Sequence, residues 1–277
     1  MRLDSHDEPM VVRFLARHPS QHAYLLGQVA RGALSDPDLA HVFVGWYEGS
    51  RLVAVASLGQ NLVVSRTSST RALIAFAAHV RELRLDVRVV VGPDREVDVF
   101  MTHFGRGAVR LERGGQPLME VDLKHLARAA RSVELRPGQT QELGAISDAD
   151  GAMILEELGF SPFSSDPDLH RFGCERRIQE WRTWVVGAPG GNIAFKVDQS
   201  AVSSRVVQLA GVFTHPDHRR QGLAFRALGE MCHLLLREVP RVSLYVNADN
   251  LGARGLYAHL GFCEVGVVRS AWLDHGP

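Results

Sequence analysis

Three cysteines in 277 residues, Cys174, Cys232 and Cys263, cannot all pair, and none has the spacing of a metal-ligand set. A disulfide framework is thereby excluded, no metal is expected, and a reducing cytoplasm is the expected setting. Charge of one sign is also missing. Lys+Arg and Asp+Glu both number 31, so nothing marks a general binder of nucleic acid or of membranes. No apolar run is long enough to span a bilayer, and the opening Met1-Arg2-Leu3-Asp4-Ser5-His6-Asp7-Glu8 is too polar and acidic for a secretory leader. The Gly-x-x-x-x-Gly-Lys and Gly-x-Gly-x-x-Gly patterns are absent, which argues against a plain nucleotide-phosphate binder. What is present, 45% hydrophobic and 22% charged residues, is the composition of an ordinary globular protein, and the length suggests about two domains.

The first half alternates helix and strand signals. Residues 20–34 read as a helix capped by Ser20. Strands at 41–47 and 52–58 flank the hairpin signal Glu48-Gly49-Ser50-Arg51, and 61–65 continues the sheet. An amphipathic helix is predicted over 69–83, a buried strand over 87–91 ending at Gly92-Pro93, and a helix over 94–104. Gly114-Gly115 leads into a last strand at 118–123, and the basic stretch 124–131 connects to the second half. There, 133–136 opens a sheet and 142–158 holds one or two helices ending at Gly159. Residues 161–168, rich in Ser, Pro and Asp, read as a loop. A hairpin over 184–197 turns at Ala188-Pro189-Gly190-Gly191. The fold class is α/β (α+β), with one unit over 1–130 and a second over 131–277.

The most informative stretch follows the apolar run 206–213. Arg219-Arg220-Gln221-Gly222-Leu223-Ala224 reads as a glycine-containing turn opening a helix near Leu223. Such a turn aims unpartnered backbone N–H groups and the positive end of a helix dipole at one spot, which suits a phosphate or pyrophosphate. Gly222 permits close approach of the main chain, and Ala224 keeps a second approach open. In the helix that follows, Cys232 shares an apolar stripe with Phe225, Leu228, Leu235, Leu236 and Val239 and reads as a buried hydrophobe rather than an acyl-accepting thiolate. A short strand at 244–246 then leads to Asn250-x-x-Ala253-x-x-Leu256-Tyr257-x-x-x-Gly261-Phe262, a helix stopped by glycine whose Ala253, Leu256 and Tyr257 share a face.

The two blocks, in this order, resemble the GNAT superfamily of N-acetyltransferases, whose signature is Arg/Gln-x-x-Gly-x-Gly/Ala, a strand, then Asn-x-x-Ala-x-x-Leu-Tyr-x-x-x-Gly-Phe. The resemblance covers about residues 132–277 and implies a GNAT fold, a mixed central sheet flanked by helices. The first half has the same opening order of helix, hairpin, helix and strand but lacks the signature turn. Its nearest glycine cluster, Gly105-Arg106-Gly107, has the wrong spacing and follows a helix. It is similar to a degenerate GNAT-like domain, as in tandem-GNAT proteins; an unrelated α/β domain is the alternative.

The resemblance implies acetyl-CoA, or another acyl-CoA, as co-substrate. Its pyrophosphate falls to Arg219, Arg220, Gln221, Gly222, Leu223, Ala224 and Phe225, and its pantetheine arm to the backbone of Val212, Phe213 and Thr214. Asn250 matches an asparagine that touches the cofactor, and equally suits a helix cap. Asn247 can serve either purpose. Arg254 stands near the adenosine phosphates or is simply a solvated residue. Tyr257 matches the tyrosine that protonates the departing thiolate, its alternative being a core tyrosine. Gln208 occupies the position where several family members carry a glutamate base. A carboxamide cannot take a proton there but can orient water or the amine. Glu156, Glu157, His215 and His218 are other candidates, and the base stays unassigned. The implied reaction is direct transfer of an acetyl group to an amine, on a small molecule or a protein, in a ternary complex. The alternative is a non-catalytic acyl-CoA-binding sensor. Neither the acceptor nor the oligomeric state is legible.

Overall fold

The computed structural model describes residues 1–35, 41–105, 109–127, 133–161, 164 and 166–273. The boundary expected at 130/131, Arg106 and Gly107 of the glycine cluster, and residues 162, 163 and 165 of the expected loop lie outside the described residues.

The first half contributes α1 (Glu8–Leu15), α2 (Ala23–Ala30), β1 (Val42–Glu48), β2 (Arg51–Leu58), β3 (Asn61–Val64), α3 (Thr70–Glu82), β4 (Val89–Pro93), α4 (Asp94–Phe104) and β5 (Val109–Val121). The second contributes β6 (Arg136–Pro137), α5 (Leu143–Leu158), α6 (Pro167–Gln179), β7 (Thr183–Gly187), β8 (Ile193–Val202), β9 (Val207–Thr214), α7 (Leu223–Leu235), β10 (Val242–Tyr245), α8 (Leu251–His259) and β11 (Cys263–Leu273). None of the described helices is long and apolar enough to cross a membrane.

Several expectations are corrected. Ser20 is not a helix cap: its hydroxyl donates to Glu120 Oε2 at 2.5 Å, and the chain makes a single 3-10 turn over Ser20–His22 before α2 begins. Helix α1 has no counterpart in the sequence reading, although Pro9 in its first turn is a start signal. Helix α6 was also missed. Its composition resembles a loop, but Asp166 caps it by accepting from the Leu169 N–H, and Pro167 opens it. The expected short strand after Gly114-Gly115 is β5, which runs straight through both glycines. Helix α5 is one helix, stopped by Gly159 in the left-handed region at φ 75°.

Among the described residues eleven strands join one sheet, in the order β1-β2-β3-β4-β11-β5-β10-β9-β8-β7-β6. Pairs β3/β4 and β9/β10 are parallel; the others are antiparallel. The order is nearly palindromic about β11/β5. The units β1–β4 and β7–β10 match element for element, each preceded by two helices and interrupted by α3 or α7. Even the short edge strand has its counterpart, since Arg2 bridges Val44 of β1 as β6 pairs with β7. The final strands are exchanged between the halves: β4 pairs with β11, whereas β10 pairs with β5. Packing follows the exchange. Met119 and Val121 of β5 belong to the core of the second half under α7 and α8, and Ala271 of β11 to the core of the first under α3 and α4. Neither half closes its own sheet.

Candidate functional site

Strands β9 and β10 are paired only at Val207–Val242 and Gln208–Ser243. Beyond that point both strands wall a cavity of about 930 Å³, lined by residues 209–214 of β9 and 244–247 at the end of β10. A bulge shapes this wall. Lys196 faces Phe213 and Asp198 faces Ala210, so Gly211 and Val212 together oppose Val197. Gly211 has φ +61°, and a Cβ there would lie 2.6 Å from Asp198 Oδ2 and 2.8 Å from Lys196 Nζ. The bulge requires glycine for both reasons.

Beneath the bulge is a buried ionic cluster. Lys196, fully buried, donates to Asp198 Oδ2 at 2.6 Å, contacts Asp150 Oδ1 at 2.7 Å and reaches the Gly211 carbonyl at 3.4 Å. Arg177 Nη2 donates to Asp150 Oδ2 at 2.9 Å, and Thr183 Oγ1 to Asp198 Oδ1 at 2.6 Å. Burial disfavours the charge on Lys196, but Asp198 and Asp150 outweigh it and hold the ammonium above its ordinary range. Burial likewise acts against the Asp150 carboxylate, and Lys196, His170 and Arg177 hold it well below the usual carboxylate range. Asp150, His170 and Cys174 bring potential ligand atoms within 4.8 Å of one another, yet both Asp150 oxygens are already engaged by cations. The cluster is an internal salt-bridge hub under the cavity floor.

At one end of the cavity the chain turns through Arg220 at φ 61° and Gly222 at φ 70°, both left-handed, and α7 starts with no side-chain cap. Its first N–H groups therefore lack the usual side-chain partner, as an anion cradle requires. Arg219, Arg220, Gly222, Leu223, Ala224 and Phe225 line the cavity, as do Val212, Phe213, Thr214, Asn247, Asn250 and Tyr257. The structure thus brings most of the expected residues together. Arg219, however, is tied down: Nε donates to the Thr214 carbonyl at 2.8 Å, and Nη2 to Glu156 Oε1 and Oε2 at 2.8 and 3.0 Å. Arg220 is exposed, with no ion pair or hydrogen bond of its side chain among the described residues.

Four expected residues stand outside the lining, Gln208, His215, Gln221 and Arg254. Gln221 donates to the Asp217 carbonyl, and Arg254 to that of Ala248. Gln208 is buried where β9 and β10 are still paired, beside Ser243, short of the opening. Asn250 caps α8 by accepting from the Ala253 N–H at 3.0 Å while also lining the cavity. His218 lines the cavity; His215 does not.

Tyr257 projects from α8, 6% exposed, with Phe262 at 5.9 Å between ring centroids. Burial, with Glu157 and Cys232 nearby, pushes its hydroxyl well above the ordinary tyrosine range, so it stays a proton donor. Cys232 is buried in the same core, and burial raises its thiol, leaving it unreactive.

Sequence reasoning missed the contribution of the other half. Arg113 and Gln116 of β5 line the cavity, and Gln116, 4% exposed, donates to Asn247 Oδ1 at 3.0 Å. No local signal points to them, because the strand exchange alone carries β5 alongside β10. The place in the first half that corresponds to the α7 turn is filled from within. The Thr67 N–H ahead of α3 donates to the buried Glu96 carboxylate of α4 at 3.0 Å, and β3 and β4 stay packed, with a Cβ on Gly92 only 2.8 Å from Val64.

A sheet opened between two parallel strands, with an uncapped helix start at its mouth, is the arrangement of the GNAT fold. The sequence model of the acetyltransferase (GNAT) family matches residues 152–262, and the chain carries a GNAT-family domain there. Among solved structures, the chain is similar to a tandem GNAT protein from the clavulanic acid biosynthesis pathway at 16% identity. That match covers 100% of this chain and 99% of the other with a TM-score of 0.55. It is also similar to a GNAT acetyltransferase from Colwellia psychrerythraea (11% identity, 99% of both chains, TM-score 0.54). A third, the GCN5-related N-acetyltransferase from Sphaerobacter thermophilus, is 18% identical over 100% of this chain and 96% of that one, with a TM-score of 0.56. The likeness spans both halves, in keeping with a second GNAT-like domain in the first. No curated protein matches the chain in sequence.

Proposed function

We propose that the protein is an N-acetyltransferase that takes an acetyl group from acetyl-CoA and passes it directly to an amine in a ternary complex. Two GNAT-like units, over 1–130 and 131–277, divide the work: the second binds the acyl-CoA, and the first lends β5 to the acceptor side. The observation that carries the reading is Tyr257, a buried proton donor in the wall of the same cavity as the uncapped α7 turn. The residues fit the group. Backbone N–H groups of Gly222, Leu223, Ala224 and Phe225 would take the pyrophosphate, and the unpaired edge of Val212, Phe213 and Thr214 the pantetheine arm. The thioester supplies the activated acyl carbon; Tyr257 supplies the proton that keeps the departing thiolate from attacking in reverse. Arg220 adds charge at the mouth, while Arg219 braces β9 against α5 through Glu156.

A thermal-shift titration with acetyl-CoA, longer acyl-CoAs and free CoA tests the binding. At a hundred times the dissociation constant, a native-specific ligand adds about 2.7 kcal/mol. Tyr257→Phe should then lower turnover about 100-fold or more while leaving acetyl-CoA affinity nearly unchanged. Binding without turnover in the wild type would favour the sensor; no binding at all would remove both.

A further inference from the structure

Glu157 lies in the last turn of α5 and lines the cavity together with Tyr245 and Tyr257. Its neighbour Glu156 is fully engaged by Arg219. The Glu157 main chain is engaged too, its carbonyl accepting from Arg113 Nη2 of β5 at 2.8 Å. The Glu157 carboxylate alone has no hydrogen bond or ion pair among the described residues. The charged and titratable groups facing it come from five elements: Asp150 and Glu156 on α5, Lys196 on β8, Arg113 on β5, Tyr245 on β10 and Tyr257 on α8. Both cations already have other anions to satisfy. Lys196 is held by Asp198 and Asp150, and Arg113 approaches Asp249 at 4.0 Å. An exposed, unbonded carboxylate on the wall that Tyr257 also lines is open to a cation that enters the cavity.

We propose that Glu157 receives the acceptor's ammonium group and takes its proton, a role that rests on the acyl-transfer reading above. One N–H proton of the ammonium passes to the carboxylate, giving a neutral amine and a carboxylic acid. The freed lone pair forms the C–N bond to the thioester carbonyl carbon, whose π pair moves onto oxygen. When that pair returns, the C–S bond breaks and the thiolate takes the Tyr257 proton. The second proton shed by the new amide nitrogen restores Tyr257 through solvent, and Glu157 releases its own proton as products leave. Glu157 is solvent-accessible at the cavity wall, where an incoming ammonium can reach it, and partial desolvation there outweighs Lys196 and Arg113 and raises its carboxyl.

The test compares two small acceptors with acetyl-CoA, ethylamine, which is protonated at neutral pH, and methoxyamine, which is not. Rates are taken above uncatalysed aminolysis, and acetyl-CoA binding is followed by thermal shift in every variant. Glu157→Gln should lower the ethylamine rate about 100-fold and the methoxyamine rate less than about 3-fold, with acetyl-CoA binding intact. The acid limb of the wild-type ethylamine profile should also move in the variant up to the titration of the amine itself, and Glu157→Asp should restore part of the rate. Equal losses for both amines, or none for either, would overturn the role of Glu157 while leaving acyl transfer standing. Bound acetyl-CoA with no wild-type rate on either amine would overturn the acyl-transfer reading and this proposal with it.

Discussion

Replacing Lys196 by methionine should be among the most damaging single changes in the second half. The wild-type cluster balances Lys196 and Arg177 against Asp150 and Asp198, and Lys196 is wholly buried. Methionine fills similar volume but leaves one buried negative charge uncompensated. Breaking such a pair from one side costs about 3–5 kcal/mol, a large share of the roughly 5–15 kcal/mol that holds a typical domain together. For 277 residues, each kcal/mol corresponds to roughly 2 °C, so the melting temperature should fall by about 6–10 °C at pH 7. The deficit should shrink as pH falls through the carboxylate range. Asp150 is held low in the wild type and so favours folding above its unfolded value; without Lys196 the orphaned charge is relieved by taking up a proton. The double variant Lys196→Met/Asp198→Asn, which restores charge balance, should recover most of the loss. Circular dichroism melts from pH 4 to pH 8 read all three effects. A single-variant loss below about 1 kcal/mol, or a double variant no better than the single, would refute the reasoning.

Two further outcomes follow from particular residues. His22 is locked as a neutral tautomer, Nδ1 bonded to the Leu15 carbonyl at 2.9 Å and Nε2 accepting from the Arg66 N–H at 3.0 Å. Burial lowers its pKa from 6.5 to about 4, so the unfolded chain takes up the proton first and stability should fall by about 3 kcal/mol between pH 6.5 and pH 4. In His22→Gln, urea titrations across that window should show a flatter profile. Gly222→Ala forces an alanine to φ +70° at the mouth of the cradle, and should weaken acetyl-CoA binding about tenfold in the thermal-shift assay with little effect on turnover at saturation.

Much of the site was legible because its parts are local. A glycine held left-handed at a helix start, and a tyrosine seven residues beyond a capping asparagine, are decided by a few neighbouring φ/ψ angles and by the helical repeat. The strands were read for the same reason: β-branched runs bounded by turns announce themselves. Gln208 shows the limit of counting along a chain. The bulge at Gly211 and the point where β9 and β10 part decide which side chains reach the cavity, and both depend on a neighbouring strand.

Amino-acid order alone determined most of the helix starts and stops, the apolar faces and the left-handed glycine turn that opens α7, all consequences of short-range sterics and hydrogen bonding. Tertiary structure alone decided the exchange of β5 and β11, the burial of Lys196 between two aspartates 46 residues and two residues away, and the meeting of Arg113 and Gln116 with Glu157 and Asn247. These depend on which strand edges find each other across more than a hundred residues. Strand edges carry identical N–H and C=O groups, so the choice among them is made by the packing of whole faces, which no local pattern encodes.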